Sequence, residues 1–263
     1  LNLLFLGDIV GKPGMQAVVR LLPELRGELR LDAVVANAEN AADGSGLTVA
    51  QYKRLLAAGV DCITMGDHIY RRSELVPTLQ KGRRIVKPAN YPADAPGCTW
   101  TTFRAACGTE VAVFSLLGRV FMRPVDCPFA AADRVLAEIP DSVRVRFCDI
   151  HAEATSDKQL LGRHLDGRVA VAVGTHTHVP TADARILPRG TAYQTDAGMS
   201  GPYESIIGRS ISRVTQTTLT FEPTHFYVAT EDVRLCGILV EIDTETGLAR
   251  RIERFERPVP KSP

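Results

Sequence analysis

The sequence predicts an α/β fold with a largely parallel sheet, and three observations carry that expectation. Short apolar runs alternate with helix-like stretches through most of the 263 residues. Hydrophobic residues make up 45% of the chain and charged residues 23%, which excludes a disordered, collagenous or coiled-coil protein. Five of the apolar runs end in acids, amides or histidines, as strands do where an open sheet meets a ligand.

Leu3 to Leu6 is the first expected strand, followed by a helix from about Met15 to Leu29 with Val18, Val19, Leu21, Leu22 and Leu25 on its apolar face. Asp32 to Ala36 is a second strand, Thr48 to Ala58 a helix with Thr48 as N-cap, and Asp61 to Met65 a third strand. Pro88, Pro92, Pro96 and Gly97 then interrupt the pattern before it resumes as strand at Val111 to Leu116, which marks a switch to a second sheet. Ala130 to Glu138 reads as helix, Val143 to Cys148 as strand and Ser156 to Leu165 as helix, capped by Thr155 and Ser156. Val169 to Val173 is a fully apolar buried strand. The last third reads as β-rich, with strands at Ala192 to Thr195, Thr217 to Phe221, Leu235 to Ile242 and Ala249 to Glu256, the last two joined by the turn Asp243 to Gly247. No repeat or long linker divides the chain, so a single domain, 1–263, with two sheets is expected.

Charge and cysteine content narrow the setting. Lys and Arg number 31 against 30 Asp and Glu, a net charge of +1, which argues against duplex nucleic acid as partner and leaves a small phosphorylated substrate open. The six cysteines form no Cys-x-x-Cys pair, and Cys62, Cys148 and Cys236 sit in apolar runs, as reduced core residues do in a cytoplasmic protein. The apolar start Leu1 to Leu6 has no basic leader and no cleavage site, and no run reaches the ~18 apolar residues of a membrane span. A soluble, cytoplasmic protein is expected, with no membrane partner. A chain of this length buries roughly 70–75% of its unfolded surface without help, so metal ligands would serve chemistry and not folding.

The candidate ligands are a matter of position. Leu6-Gly7-Asp8, Val35 to Asn40, Thr64-Met65-Gly66-Asp67-His68, Cys148-Asp149-Ile150-His151 and Val173 to His178 each place a polar cluster after an apolar run. Ligands of open α/β sheets lie outside the carboxyl ends of the strands, so these residues would meet at one edge. A lone Asp there is commonly a turn or helix cap. Two imidazoles at His176 and His178 can share a site only if the strand ends or bends between them. Four of the six histidines belong to this set, and His164 and His225 read as solvated or structural. Imidazoles mixed with carboxylates and an amide, without thiolate, suit iron, manganese or zinc better than magnesium or calcium. Asp8, Glu39 and Asp67 with four histidines exceed the needs of one ion, so two ions sharing a carboxylate are expected.

These residues resemble the calcineurin-type metallophosphoesterases. Nearly the whole chain is similar to the bacterial YmdB-like branch, through Gly7 to Gly11, Asn37 to Asn40, Pro88 to Pro92, Asp149 to Thr155, Gly174 to Asp183 and Thr195 to Pro202. The resemblance implies a four-layer α/β/β/α sandwich, a dinuclear metal centre and a phosphodiesterase of small cyclic nucleotides, notably 2′,3′-cyclic ones. It implies a homo-oligomer as well. It places Asp8, Glu39 and His178 around one ion, Glu39, Asn40, Asp67, His151 and His176 around the second, and makes His68 the proton donor. Two departures stand out. Val10 replaces a His of the wider superfamily, as in the YmdB-like branch, and Asp67 stands where that branch has Asn, adding a negative charge to the second ion.

In such a site a metal-bridging hydroxide attacks phosphorus, and His68 stabilises the transition state and protonates the leaving ribose oxygen. Arg119 and Arg123, flanking Phe121, are candidate substrate contacts, although solvated loop arginines are the equally simple reading. Tyr91, Phe121, Tyr193 and Tyr203 are candidates to stack a base. Against the hydrolase stand a metal-containing nucleotide-binding regulator with little turnover, for which Asp67 is the one hint, and a phosphomonoesterase or nuclease.

Overall fold

The computed structural model describes residues 1–260. The chain builds the first sheet, crosses to the second, and returns to the first. The opening stretch comprises β1 (Asn2–Leu6), β2 (Asp8–Ile9), α1 (Gly11–Glu28), β3 (Ala33–Asn37), α2 (Val49–Ala57), β4 (Cys62–Thr64), α3 (Val76–Lys81) and β5 (Ile85–Val86). The second sheet follows as β6 (Trp100–Arg104), β7 (Glu110–Leu117), α4 (Pro128–Glu138), β8 (Val145–His151), α5 (Thr155–Leu165), β9 (Val171–Thr175), β10 (Arg185–Ile186) and β11 (Ala192–Gln194). The return consists of β12 (Met199–Pro202), α6 (Ile211–Thr220), β13 (Val233–Ile242) and β14 (Ala249–Pro258).

The first sheet runs β2-β12-β13-β1-β3-β4-β5, with β14 paired to β13, and the second runs β10-β11-β9-β8-β7-β6. β1, β3, β4 and β5 are parallel, as are β7, β8 and β9, so their carboxyl ends point the same way within each sheet. Alternation of side chains along each strand then sets the layers. In β1, Leu4 and Leu6 face the core shared with α1, α2 and α3, while Leu3 and Phe5 face the other sheet. In β7 and β8, Val113 and Phe147 face inward, while Phe114, Cys148 and Ile150 face the core under α4 and α5. The result is the expected α/β/β/α sandwich. Phe5 and Phe147, ring centroids 5.0 Å apart, join the sheets at its centre. Each buried phenyl contributes about 1.5–3 kcal/mol of burial energy.

Most expected elements lie where the pattern puts them. The Thr48 cap forms a full capping box: its Oγ1 accepts from Gln51 N at 3.1 Å, and Gln51 Oε1 accepts from Thr48 N at 3.0 Å. Two readings are corrected. Residues 217–221 are not a strand: Thr217 to Thr220 close helix α6. There Thr220 Oγ1 donates to Gln216 O at 2.8 Å within the helix, and Thr217 Oγ1 bonds Glu222 O and Thr224 Oγ1 just beyond it, which offsets the preference of β-branched residues for a sheet. Thr155 and Ser156 do not cap α5, whose N-cap is Ala154 with no side-chain bond. Asp157 of the first turn instead accepts the backbone N–H groups of Arg119 and Val120 at 2.8 and 3.0 Å. Cys62, Cys148 and Cys236 are buried and free, as expected. Among the described residues no helix is long and apolar enough to cross a membrane.

Candidate metal centre

All five polar strand ends meet at one edge of the sandwich. Asp8 follows β1, Glu39 and Asn40 follow β3, Asp67 and His68 follow β4, His151 closes β8, and His176 and His178 follow β9. One donor atom from each of Glu39, Asp67, His151 and His176 lies within 4.8 Å of all the others. His151 Nε2 is the centre of this group, 3.2 Å from Glu39 Oε1, 3.2 Å from Asp67 Oδ1 and 3.0 Å from His176 Nδ1.

Asp8 and His178 form an adjoining group, with His178 Nε2 3.7 Å from Asp8 Oδ1. Asn40, which the resemblance assigns to the second ion, is set closest to this first group. Its amide nitrogen stands 3.3 Å from Asp8 Oδ1, 3.4 Å from Glu39 Oε1 and 3.2 Å from His178 Nε2. The Asn40 amide oxygen is engaged by His68 Nδ1 at 2.8 Å.

The ring nitrogens turned away from the cluster are each held. His151 Nδ1 donates to Thr175 Oγ1 at 2.8 Å, and that hydroxyl donates to Asp149 Oδ1 at 2.6 Å, so Nε2 is the ring atom turned to the cluster. Asp149 also accepts from Asn37 Nδ2 at 2.9 Å and from Thr64 Oγ1 at 2.5 Å, which ties β8 of one sheet to β3 and β4 of the other. His176 Nε2 lies 3.1 Å from Glu153 Oε2, and His178 Nδ1 donates to Ile207 O at 2.9 Å. Such partners fix a ligand's tautomer and aim. Gly66 leaves the room: a Cβ there would overlap the His151 ring and the Glu39 carboxylate.

The electrostatics favour a cation. Burial opposes ionisation of Glu39 and Asp67, yet the neighbouring imidazoles, His151 foremost, hold Glu39 well below and Asp67 below the usual carboxylate range. Burial likewise opposes charge on His68, but the hydrogen bond and charge of Glu39, with Asp67, hold it above its ordinary value. Burial pushes the Asp149 carboxyl up to about 6, against the pull of His151 and of its three donors. Burial, and then the charge of His151, lower His176. Two ionised carboxylates with imidazoles and no thiolate form a donor set for a transition-metal ion.

Of the other candidates, Arg119 and Phe121 lie on an exposed loop, Phe121 at 89% exposure and with a left-handed φ of 60°. Arg123 is also exposed, but it neighbours the buried Tyr91 ring, whose hydroxyl burial pushes up to about 12 and which feels the charges of Asp67 and Glu39. Tyr193 is buried and bonded to Thr195, which leaves no room for a base; Tyr203 is half-buried, donates to Met199 O and carries the Arg234 guanidinium over its ring at 4.9 Å. His164 bonds Asp133, and His225 packs edge-on against Tyr227, both away from the cluster. Asn37, Thr64, Asp149, Glu153 and Thr175 fall within the runs the sequence singles out, but no role is assigned to them there. The signal for Asp149 was present, as a lone acid inside an apolar strand.

The comparisons with known proteins agree in direction. The family model described as YmdB-like protein matches residues 4–255. The chain is 43% identical over 255 residues to the 2′,3′-cyclic-nucleotide 2′-phosphodiesterase of Bacillus subtilis (strain 168), covering 97% of this chain and 96% of the relative. Its fold matches a solved hypothetical protein from Thermus thermophilus with a TM-score of 0.92 and 39% identity, over 99% of this chain and 100% of that one. A solved novel phosphatase from Mycoplasma pneumoniae matches with a TM-score of 0.91 and 31% identity, over 98% and 93%.

Proposed function

The chain belongs to the YmdB-like protein family, and from that premise we propose that it is a metal-dependent phosphodiesterase hydrolysing small cyclic nucleotides, 2′,3′-cyclic ones above all. The observation that carries the reading is the convergence of Glu39, Asp67, His151 and His176 within 4.8 Å at the strand ends. Glu39, Asp67, His151 and His176 would hold one ion; Asp8, His178 and the shared Glu39 would hold the other, joined by Asn40 Oδ1 only if that amide turned away from His68. Iron or manganese suits this donor set, with zinc next. Val10 is buried and offers no donor, so the first ion has fewer protein ligands. Bound there, such ions supply Lewis acidity, lowering the pKa of water from about 15.7 toward 7 and neutralising charge on the phosphate.

The chain's own residues orient and protonate. Asn40 Oδ1 accepts His68 Nδ1–H at 2.8 Å, which leaves Nε2–H of the imidazolium for the substrate. The oxygen of one water bonds to phosphorus and its proton leaves to solvent, one ribose–phosphate bond breaks, the His68 Nε2 proton goes to the departing ribose oxygen, and His68 takes a proton back from solvent. Arg123, beside Tyr91, is better placed than Arg119 or Phe121 to meet a phosphate.

A cytoplasmic setting is supported by six free cysteines. A homo-oligomer is supported by the segment around α6, where Ile207, Leu219, Phe221 and Tyr227 are each more than half exposed and no helical residue is buried. Sedimentation of the native chain as a monomer would remove that part of the reading. The central test is hydrolysis of 2′,3′-cyclic AMP with added Mn²⁺ or Fe²⁺. Multiple turnovers that chelator abolishes are expected, whereas stoichiometric binding without product would favour a regulatory binder.

A further inference from the structure

Lys158 and Asp196 are almost completely buried and lie 2.6 Å apart, outside the donor set. Lys158 sits on the inner face of α5, in phase with the buried Leu161, Gly162 and Leu165. A lysine in that stripe is retained only where its ammonium finds a partner. Its stem passes Gly174 of β9, where a Cβ would overlap Thr195 O and press on Lys158 Cδ. The other acceptor sites of Asp196 are filled by Thr177 and Gly198. Its Oδ2 accepts from Thr177 N at 3.1 Å and Thr177 Oγ1 at 2.6 Å, and its Oδ1 from Gly198 N at 2.8 Å. Lys158 Nζ also reaches Thr177 Oγ1 at 3.2 Å.

Thr177 lies between His176 and His178, and both histidines adopt left-handed backbone, φ 95° and 65°. Residues with a Cβ enter that region only when their surroundings hold them there. Those two turns let residues two apart aim their rings into different donor groups, His176 toward Asp67 and His151, His178 toward Asp8 and Asn40.

We propose that the Lys158–Asp196 pair is a positioning device that aligns the two ion positions with each other, by pinning the residue between the histidines that serve them. The inference rests on the two-ion reading above. Asp196 holds Thr177 from below, Lys158 balances the buried charge of Asp196, and both ion positions depend on the one anchor. The Thr175 hydroxyl acts differently, since the only ligand ring it bonds is that of His151, which serves one ion, whereas Asp149 behind it also holds Asn37, whose Oδ1 accepts from the backbone of the shared Glu39.

The test titrates chelator-stripped full-length chain with Mn²⁺ by calorimetry, reading both positions. Asp196→Asn is expected to weaken both ions together by about 10–100-fold. Thr177→Val keeps the side-chain shape and removes only the hydroxyl, so it weakens both severalfold, and Thr177→Ser restores them. Thr175→Val, which removes the hydroxyl on His151 Nδ1, weakens one position alone. Folded Asp196→Asn or Thr177→Val chains that bind both ions as the wild type does, or that lose only one, overturn the inference. A wild-type chain that takes up no Mn²⁺ overturns the two-ion reading itself.

Discussion

The two donor groups share Glu39 and one sandwich edge, but they are braced to different degrees. Around Asp67, His151 and His176, the ring nitrogens facing away from the cluster are tied to Thr175 and Glu153, and the Asp149 network behind them spans both sheets. Around Asp8 and His178 the donors are fewer, Val10 contributes none, and the tautomer of His178 is fixed by the carbonyl of Ile207, in an exposed segment. Preorganised ligands lose less freedom when they bind, so the braced group should hold its ion tightly and the other should exchange it. A shared fold edge thus yields one anchored and one adjustable position.

The largest perturbation erases the comparison. Glu39→Gln removes the carboxylate common to both groups, and both ions should be lost with turnover falling to background, measured by metal analysis and by hydrolysis of 2′,3′-cyclic AMP. Next in size is His68→Ala: kcat should fall by about 10²–10⁴-fold with metal content unchanged. Loss of an ion in that variant would make His68 a ligand and redraw the groups. In the wild type, Mn²⁺ titration should resolve two affinities separated by roughly tenfold or more, as bracing by outer partners commonly gives. Equal affinities would break the distinction. The smallest effect belongs to Asp67→Asn, which removes one negative charge from the braced group. Its ion should bind somewhat more weakly, and the acid limb of the pH–rate profile should move to lower pH by roughly one unit or less.

Much of this was legible in the chain because strand ends announce themselves. Apolar runs ending in Asp8, Asn40, His68, His151 and His178 require no knowledge of which strands are neighbours, only that parallel strands finish on the same side. The braces were not legible, for the opposite reason. Thr64 and Asp149 are 85 residues apart in different sheets, and their bond exists only once the sheets are stacked. Lys158 and Asp196 are likewise joined by packing, although a lysine in phase with Leu161 and Leu165 was a clue. The reading of 217–221 as strand failed because threonine content favours β structure only when the hydroxyls lack partners in or next to a helix, and here they have them.

Gly66 carries a consequence for how such a chain diverges. Every donor is polar and visible to selection as a donor, yet the volume they surround is secured by a residue with no side chain. A lineage drifting away from metal chemistry need not discard any carboxylate or histidine first. One methyl group at position 66 would push Glu39 and His151 apart while the inventory of ligands stayed intact. Among relatives, glycine at this place is therefore the sharper marker of a working centre than the donors it accommodates.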